Sequence, residues 1–340
     1  MVILDIGTES VKVLAGQKQL LQYFSGYDYF SGIQGAIGEI LRNLDENLEN
    51  VIVGLPAEIL KGRVVWQVIE RENPKKLIDK KEEEAIHHIF FEKAKGKVAS
   101  IFSQNFGILP KDLKFINVKI IARTIDGYVV PSFSSFEGKN LGLSTLVSFL
   151  PQDYLEKFNK ICETLGFKNQ KIVHLAECVK DKFSNYGDGI FIDIGGETTQ
   201  IFILKDGKLE GVSEFSLGGK TFSDALSEKL GLMEEDARIF KEKYGRGELS
   251  LESAKRVEEI LYFPARTWFE SFKKKLKEVN GAGLFPVNIF LFGGGCQLPE
   301  VKDILVEGGW GDIAFVDRKP KIKIFKNPQF TPALLLKTAQ

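Results

Sequence analysis

Residues 2–12 read VILDIGTESVK, and residues 190–200 read IFIDIGGETTQ. Each stretch is a short apolar run that ends in aspartate, isoleucine and glycine and leads, after a polar turn, into a second apolar run. Because β-branched residues favour strands and glycine favours turns, the pattern predicts two β-hairpins. A constant offset of 188 positions relates the two stretches in the 340-residue chain. An offset near half of the chain length predicts a duplicated domain.

The two predicted turns have the composition of a phosphate site. Glycine lets successive backbone amides approach an anion, and serine or threonine hydroxyls add donors. Either turn alone also fits an ordinary hairpin, but the two together favour a phosphate held between them. The candidate ligands are Gly7, Thr8, Glu9, Ser10 and Lys12 in the first copy and Gly195, Gly196, Thr198 and Thr199 in the second.

Two aspartates stand at the ends of the first strands. Asp5 and Asp193 occupy matching positions and are predicted to face the same point. Mg²⁺ keeps several waters and binds through one or two carboxylates plus phosphates. We therefore expect Asp5 and Asp193 to hold magnesium through water or to position a water, and we assign no other catalytic residue. A third glycine-rich strand end supports the site, at Gly293, Gly294 and Gly295.

Composition excludes several classes of protein. The 46 Lys and Arg residues balance the 46 Asp and Glu residues, so the chain lacks the positive excess that bulk nucleic-acid binding needs. No apolar run has the length of a transmembrane helix, and residues 1–10 lack a signal-peptide pattern. The isolated Cys162, Cys178 and Cys296 predict reduced, buried thiols and no zinc cluster or disulfide framework.

Helical periodicity and a strand-rich block organise the rest of the chain. Residues 57–145 contain mainly strands and one helix, and we interpret them as an α+β subdomain inserted into the first half. Pro264 is expected to break the last predicted helix. Helices are predicted over residues 32–44, 80–94, 152–165, 175–183, 221–230, 234–243 and 250–279.

Three further motifs have ordinary explanations. Gly218, Gly219, Lys220 and Thr221 resemble the end of a Walker A loop, but Glu214 stands where that loop needs a glycine. The adjacent His87 and His88 lack metal-ligand spacing. Residues 266–277, RTWFESFKKKLK, fit either a helix on a membrane or partner, or a core-packed helix with a solvated lysine face.

Together these motifs resemble the actin and sugar-kinase ATPase superfamily and, within it, the FtsA family of bacterial cell-division proteins. The stretches ILDIGTESVKVLAG and GIFIDIGGETTQIFILKDGKL resemble its two phosphate motifs, and NIFLFGGGCQLPEV resembles its adenosine motif. FSLGGKTFSDAL, followed by DARIFKEKYG, resembles the segment that reaches the base and ribose. The resemblance adds Gly218, Gly219, Lys241 and Cys296 to the expected nucleotide contacts.

The resemblance implies an α/β fold, namely the actin-like, ribonuclease-H-like duplicated ATPase fold with an inserted FtsA-type 1C (SHS2-like) α+β subdomain. Residues 1–56 would begin the first half, subdomain 1A. Residues 57–150 would form the insert, and residues 151–186 would complete 1A. Residues 187–340 would form the second half, subdomains 2A and 2B, with a C-terminal segment returning to 1A.

The implied function is an ATP- and Mg-binding cytoskeletal scaffold of bacterial cell division, cytoplasmic and peripheral at the inner face of the cell membrane. It would self-associate into filaments and bind the C-terminal tail of FtsZ, and it would not bind nucleic acid. The family's amphipathic membrane helix is not found after the core. We therefore expect either that a segment after Gln340 has been removed or that membrane contact is indirect.

One departure from the family bears on catalysis. The glutamate that actin-like ATPases such as MreB use for hydrolysis is not found at residues 172–176, and Glu177 would require a shifted alignment. ATP binding is therefore expected, with weak or absent hydrolysis. PilM-like cytoplasmic adaptors of type IV pilus assembly share the plan and are the nearest alternative, with a short peptide of a membrane partner as ligand. A sugar kinase is less favoured, because no catalytic base or sugar pocket can be assigned.

Overall fold

The computed structural model describes residues 2–24, 29–42, 44, 49–280, 283–311, 313–316 and 319–337. Their contacts divide into two compact units. The first unit, here called the body, contains the residues up to Glu58 and those from Ile161 onward. The second unit, here called the insert, spans Ile59–Lys160.

Strands supply the sheets of both units. In chain order they are β1 (Val2–Ile6), β2 (Ser10–Ala15), β3 (Lys18–Tyr23), β4 (Asn50–Gly54), β5 (Lys61–Glu70), β6 (Leu113–Ile125), β7 (Tyr128–Val130), β8 (Asn140–Pro151), β9 (Asn169–Ile172), β10 (Gly189–Ile194), β11 (Thr199–Lys205), β12 (Lys208–Phe215), β13 (Asn288–Phe292) and β14 (Lys321–Ile324).

Helices cover and connect these sheets. They are α1 (Tyr29–Leu41), α2 (Lys80–Phe106), α3 (Gln152–Thr164), α4 (Ala176–Phe183), α5 (Gly219–Leu230), α6 (Glu234–Gly245), α7 (Leu251–Asn280), α8 (Pro299–Glu307) and α9 (Thr331–Leu336). Among the described residues, none of these helices is both long and apolar enough to cross a lipid bilayer.

The body contains two five-stranded sheets with the same design. One has the order β3-β2-β1-β4-β9, and the other has the order β12-β11-β10-β13-β14. The register is also repeated, because Asp5 pairs with Lys12 across the first hairpin and Asp193 pairs with Gln200 across the second. The two predicted hairpins and the duplication are therefore confirmed.

The second half of the body has a large apolar core. The inward residues of β10 and β11 pack against α5 and α7 through side chains such as Phe222, Trp268 and Phe272. Residues 266–277 form a core-packed helix segment, the second of the two alternatives left open by the sequence, because Trp268, Phe269 and Phe272 are buried. The apolar face of that segment is core and is not open to a membrane.

The predicted break at Pro264 is wrong, because α7 continues through it. Proline inside a helix removes one hydrogen bond and costs about 3 kcal/mol. Leu261 and Ala265 flank the proline and are both buried in the same core. Packing on both sides of Pro264 therefore holds the helix together across the missing bond.

The insert consists of one long helix on an antiparallel sheet of order β5-β8-β6-β7. Asp79 caps the start of α2 by accepting a hydrogen bond from the amide of Glu82, and Gly107 ends it in the left-handed conformation. The helix runs past the predicted end at residue 94 because Val98 and Phe102 continue its buried stripe. Whether this α+β unit is of the FtsA 1C type stays a prediction.

Candidate functional site

The turns of the two duplicated hairpins meet each other. The amide of Gly7 donates to the carbonyl of Ser10 at 2.8 Å, and the amide of Gly195 donates to the carbonyl of Thr198 at 2.9 Å. The same bond therefore closes each turn. The amide of Glu197 then donates across to Thr8 Oγ1 at 2.9 Å. The approach is so close that a Cβ atom at Gly196 would lie 2.6 Å from Thr8 Oγ1.

A cavity opens beside these turns and is lined from both halves of the body. Residues of the first turn, of the second turn and of the segment 54–58 contribute to its wall. The remaining wall comes from the end of α6, from the glycines after β13 and from the segment that leads into α9. The cavity brings together most of the predicted ligands, namely Asp5, Gly7, Thr8, Glu9, Ser10, Lys12, Asp193, Gly195, Gly196, Thr198, Gly219, Lys241, Gly293, Gly294 and Gly295.

The aspartate of the first hairpin has a cationic partner within the chain. Lys12 Nζ lies 3.1 Å from Asp5 Oδ2, and both side chains are largely shielded from solvent. The pair forms because the two residues are directly opposite in the β1–β2 register. Lys12 therefore neutralises Asp5 and still borders the cavity.

The aspartate of the second hairpin has no such partner. Asp193 is partly buried, and its Oδ1 is buried and accepts no hydrogen bond from the described residues. Burial, reinforced by the negative charge of Asp5, raises the pKa of Asp193 to about 7, against an opposing effect of Lys12. Glu58 adds a further negative charge to this environment.

Two more buried oxygens on the same wall lack donors. These are Thr198 Oγ1 and Gln200 Oε1, and both residues line the cavity. Gln200 stands opposite Asp193 in the register, where Lys12 stands opposite Asp5. A buried acceptor without a donor is costly. The second hairpin therefore suits a cation or a hydrogen-bond donor supplied from outside the chain.

The charge balance of the cavity also favours a cation. Among the described residues that line it, five are acidic (Asp5, Glu9, Glu58, Asp193 and Glu242) and three are basic (Lys12, Lys241 and Arg246). A phosphate ester would be repelled by this excess of carboxylates unless a divalent ion accompanied it. No group of three or more His, Cys, Asp or Glu side chains in the described part of the chain is arranged to hold a metal directly. The residues fit Mg²⁺ held through water by Asp193 and Asp5 and completed by phosphate oxygens.

Lys241 is buried in the cavity wall beside Gly219. Its Nζ donates to the carbonyl of Gly219 at 2.8 Å, and burial lowers its pKa. The neighbouring Gly218 has no room for a side chain, because a Cβ atom there would collide with the carbonyl oxygens of Gly195 and Gly196. Gly218 thus permits the close approach of α5 to the second turn and does not itself line the cavity.

Two other predicted ligands lie behind the cavity wall. Thr199 donates to the carbonyl of Leu217 at 2.6 Å and accepts from Trp268 Nε1 at 2.9 Å, so its hydroxyl is committed to the core. Cys296 is completely buried in the core of the second half, where burial raises its thiol pKa. The described cysteines Cys162, Cys178 and Cys296 are all buried, and none of the three forms a disulfide.

The segment expected to carry a hydrolytic glutamate, residues 172–176, contains no glutamate. Leu175 lines the cavity after the end of β9. Glu177 is turned to the backbone, because its Oε1 accepts a hydrogen bond from the amide of His174 at 3.2 Å.

Sequence reasoning did not assign several residues of the cavity to the site, among them Glu58, Tyr23, Glu242 and Gln200. Glu58 and Tyr23 lie outside any motif, whereas Glu242 follows Lys241 within the stretch DARIFKEKYG. Gln200 could have been found, because the offset of 188 places it in register with Lys12.

Comparison with known proteins gives similarity in structure alone. No family model matches the chain, and no curated protein matches its sequence. The structure of a PilM–PilN type IV pilus biogenesis complex matches with a TM-score of 0.68 and 15% identity, over 99% of this chain and 97% of that chain. MreB5 of Spiroplasma citri, bound to ADP, matches with a TM-score of 0.50 and 11% identity, over 99% and 94%.

The chain has the actin-like ATPase fold. The ethanolamine utilization protein EutJ from Carboxydothermus hydrogenoformans adds a third match, with a TM-score of 0.51 and 13% identity over 98% of this chain and 88% of that chain. The actin-like fold predicted from the hairpins is therefore confirmed. Of these three matches the PilM–PilN complex has the highest TM-score, and none of the three gives specific support to FtsA or to an FtsZ partner.

Proposed function

We propose that this protein is a nucleotide-binding adaptor of the PilM kind, which binds Mg-ATP in the cleft between its two halves. The main support for nucleotide binding is that two matched glycine turns meet, joined by the hydrogen bond from the Glu197 amide to Thr8 Oγ1. Asp193, at the same place, has a buried carboxylate oxygen, Oδ1, that accepts no hydrogen bond from the described residues. Backbone amides and hydroxyls at such turns suit phosphate oxygens. The similarity to the PilM–PilN complex supports the adaptor role.

In this role the nucleotide acts by selecting a conformation. A ligand shifts an equilibrium only through its different affinity for the two states. ATP contacts turns from both halves, so it favours the closed arrangement of the cleft over an open one. No glutamate is found at residues 172–176, where actin-like ATPases such as MreB place one for hydrolysis, so we propose that the nucleotide acts by being bound, with slow or absent hydrolysis. The partner is then a short cytoplasmic segment of a membrane protein of the pilus machinery, and the protein works in the cytoplasm at the membrane surface.

Calorimetry tests the nucleotide part of the proposal. Mg-ATP is titrated into the full chain, and the titration is repeated with EDTA in place of magnesium. We expect binding with magnesium and a large loss of affinity without it, because the cavity is rich in carboxylates. A well-folded sample that binds no Mg-ATP would contradict the proposal.

A peptide pull-down tests the adaptor part against the cell-division alternative. The immobilised protein is offered the cytoplasmic N-terminal segment of a PilN-type protein and, separately, a C-terminal tail peptide of FtsZ. Retention of the first peptide alone supports the pilus adaptor. Retention of the FtsZ tail, together with ATP-dependent filaments by electron microscopy, would favour the FtsA-like scaffold.

A further inference from the structure

A polar cluster joins the two halves of the body at one side of the cavity. Tyr23 ends strand β3 of the first half, and Glu242 lies on α6 of the second half. Tyr23 Oη donates to Glu242 Oε1 at 3.0 Å, across 219 positions of sequence. Both residues line the cavity, as do Arg246 and Gln329. The bond therefore spans the cleft where it borders the candidate nucleotide site.

The carboxylate of Glu242 can only accept, so the hydroxyl of Tyr23 is the donor in this bond, and a third residue is compatible with that direction. Gln329 Nε2 donates to Tyr23 Oη at 3.4 Å. Since the hydroxyl accepts from Gln329, its own proton is available for the carboxylate of Glu242. Burial, followed by the charge of Glu242 and its hydrogen bond, raises the pKa of Tyr23 to about 12. The hydroxyl thus stays protonated and remains a donor throughout the neutral range.

An arginine supports both partners. The guanidinium of Arg238 lies 3.9 Å from the centre of the Tyr23 ring, which is a favourable cation–π geometry. Arg238 Nη1 also lies 3.2 Å from Glu242 Oε1. Tyr23 is therefore held by its hydroxyl and by the face of its ring, and Glu242 is held from two sides.

We propose that Tyr23 is a positioning residue that latches the two halves together and holds Glu242 at the cavity wall, so that it controls the rate at which nucleotide enters and leaves. The proposal rests on the proposed nucleotide binding. A bond between the halves has to open for ligand to pass in either direction. Loss of the latch therefore raises the association and dissociation rates together and changes the affinity much less.

The test uses the full chain and a fluorescent ATP analogue with magnesium in a stopped-flow instrument. Tyr23→Phe removes only the hydroxyl and keeps the ring under Arg238. A hydrogen bond to a charged group is strong enough that we expect both rates to rise by about tenfold, equal to ~1.4 kcal/mol. Tyr128→Phe is the matched control, because Tyr128 is 79% exposed in the insert, and its rates are expected to stay at the wild-type values.

A double-mutant cycle separates a latch from a general structural effect. Glu242→Gln removes the charge that Tyr23 and Arg238 share, and it is also the replacement variant if Tyr23→Phe fails to fold. If Tyr23 and Glu242 form one latch, the double variant is expected to bind and release nucleotide at nearly the same rates as the faster of the two single variants. Independent, multiplying effects would overturn the proposal. So would rates within twofold of wild type in Tyr23→Phe, or a weaker affinity with an unchanged association rate.

Hydrogen exchange in the absence of nucleotide keeps this result separate from the proposed function. If the wild-type protein binds no nucleotide, the proposed function fails. The latch between Tyr23 and Glu242 is then tested by amide hydrogen exchange alone. Faster amide exchange in Lys18–Tyr23 and Glu234–Gly245 of Tyr23→Phe, with Tyr128→Phe unchanged, supports it. Equal exchange in both variants overturns it.

Discussion

Replacing Asp193 with asparagine is expected to stabilise the protein in alkaline solution. Burial of the carboxylate, followed by the negative charge of Asp5, raises its pKa from the ordinary 3.8 to about 7. The native state then binds more protons than the unfolded state between about pH 4 and pH 7, so the stability of the wild-type protein falls as pH rises through that interval. Asparagine has nearly the same shape and carries no charge, so the variant lacks this loss.

The size of the effect follows from the pKa. Each tenfold change in proton affinity corresponds to about 1.4 kcal/mol, which sets an upper bound of about 4 kcal/mol above pH 7. Relaxation of neighbouring groups around a buried charge reduces such values. We therefore expect Asp193→Asn to exceed the wild-type free energy of unfolding by about 2–4 kcal/mol at pH 8.5, with little difference near pH 4.

Urea denaturation in EDTA measures this difference, with fluorescence of the buried Trp268 as one probe and circular dichroism as a second. The same variant is expected to lose most of the magnesium dependence of ATP binding, because one carboxylate of the predicted pair is gone. Equal stability of the two proteins at pH 8.5, or a difference that does not vary with pH, would refute the reasoning from burial.

The remaining predictions concern the turns, the core behind them and hydrolysis. Gly196→Ala places a Cβ atom 2.6 Å from Thr8 Oγ1 and is expected to weaken Mg-ATP binding by at least about tenfold in calorimetry. Gly35→Ala, which meets nothing within 4 Å, serves as its control and should bind normally. Trp268→Phe removes the donor to Thr199 and is expected to lower the free energy of unfolding by about 1–3 kcal/mol in urea denaturation. Glu177→Gln should leave the slow release of phosphate from ATP unchanged, whereas a marked drop would assign Glu177 a catalytic role.

Local signals in the sequence predicted the parts of the fold that depend on local structure. The two hairpins follow from strand residues, glycine and a repeated turn, all within about a dozen positions, and the offset between Asp5 and Asp193 predicted the duplication. The continuation of α7 through Pro264 was not predicted, because it depends on packing against a core assembled from distant strands.

The cavity was predictable only in its phosphate-facing part. Tyr23 and Glu242 are 219 positions apart, and no periodicity or motif relates them. Thr199 and Cys296 have the right neighbours in sequence, yet the alternation of strand β11 and the turn after β13 direct them into the core. Composition and spacing therefore identified which loops meet but not which side chains of those loops reach the cavity.

The repeated register has a consequence for how the cleft senses its surroundings. Lys12 gives Asp5 of the first hairpin a counterion that is part of the chain. Gln200, at the matching position, is uncharged and gives Asp193 of the second hairpin no such counterion. In the proposed Mg-ATP complex, one half of the cleft therefore has a counterion from the chain itself, and the other half takes a divalent ion from solution. A single difference between two copies of one hairpin would in this way make nucleotide occupancy report the supply of magnesium as well as the supply of nucleotide.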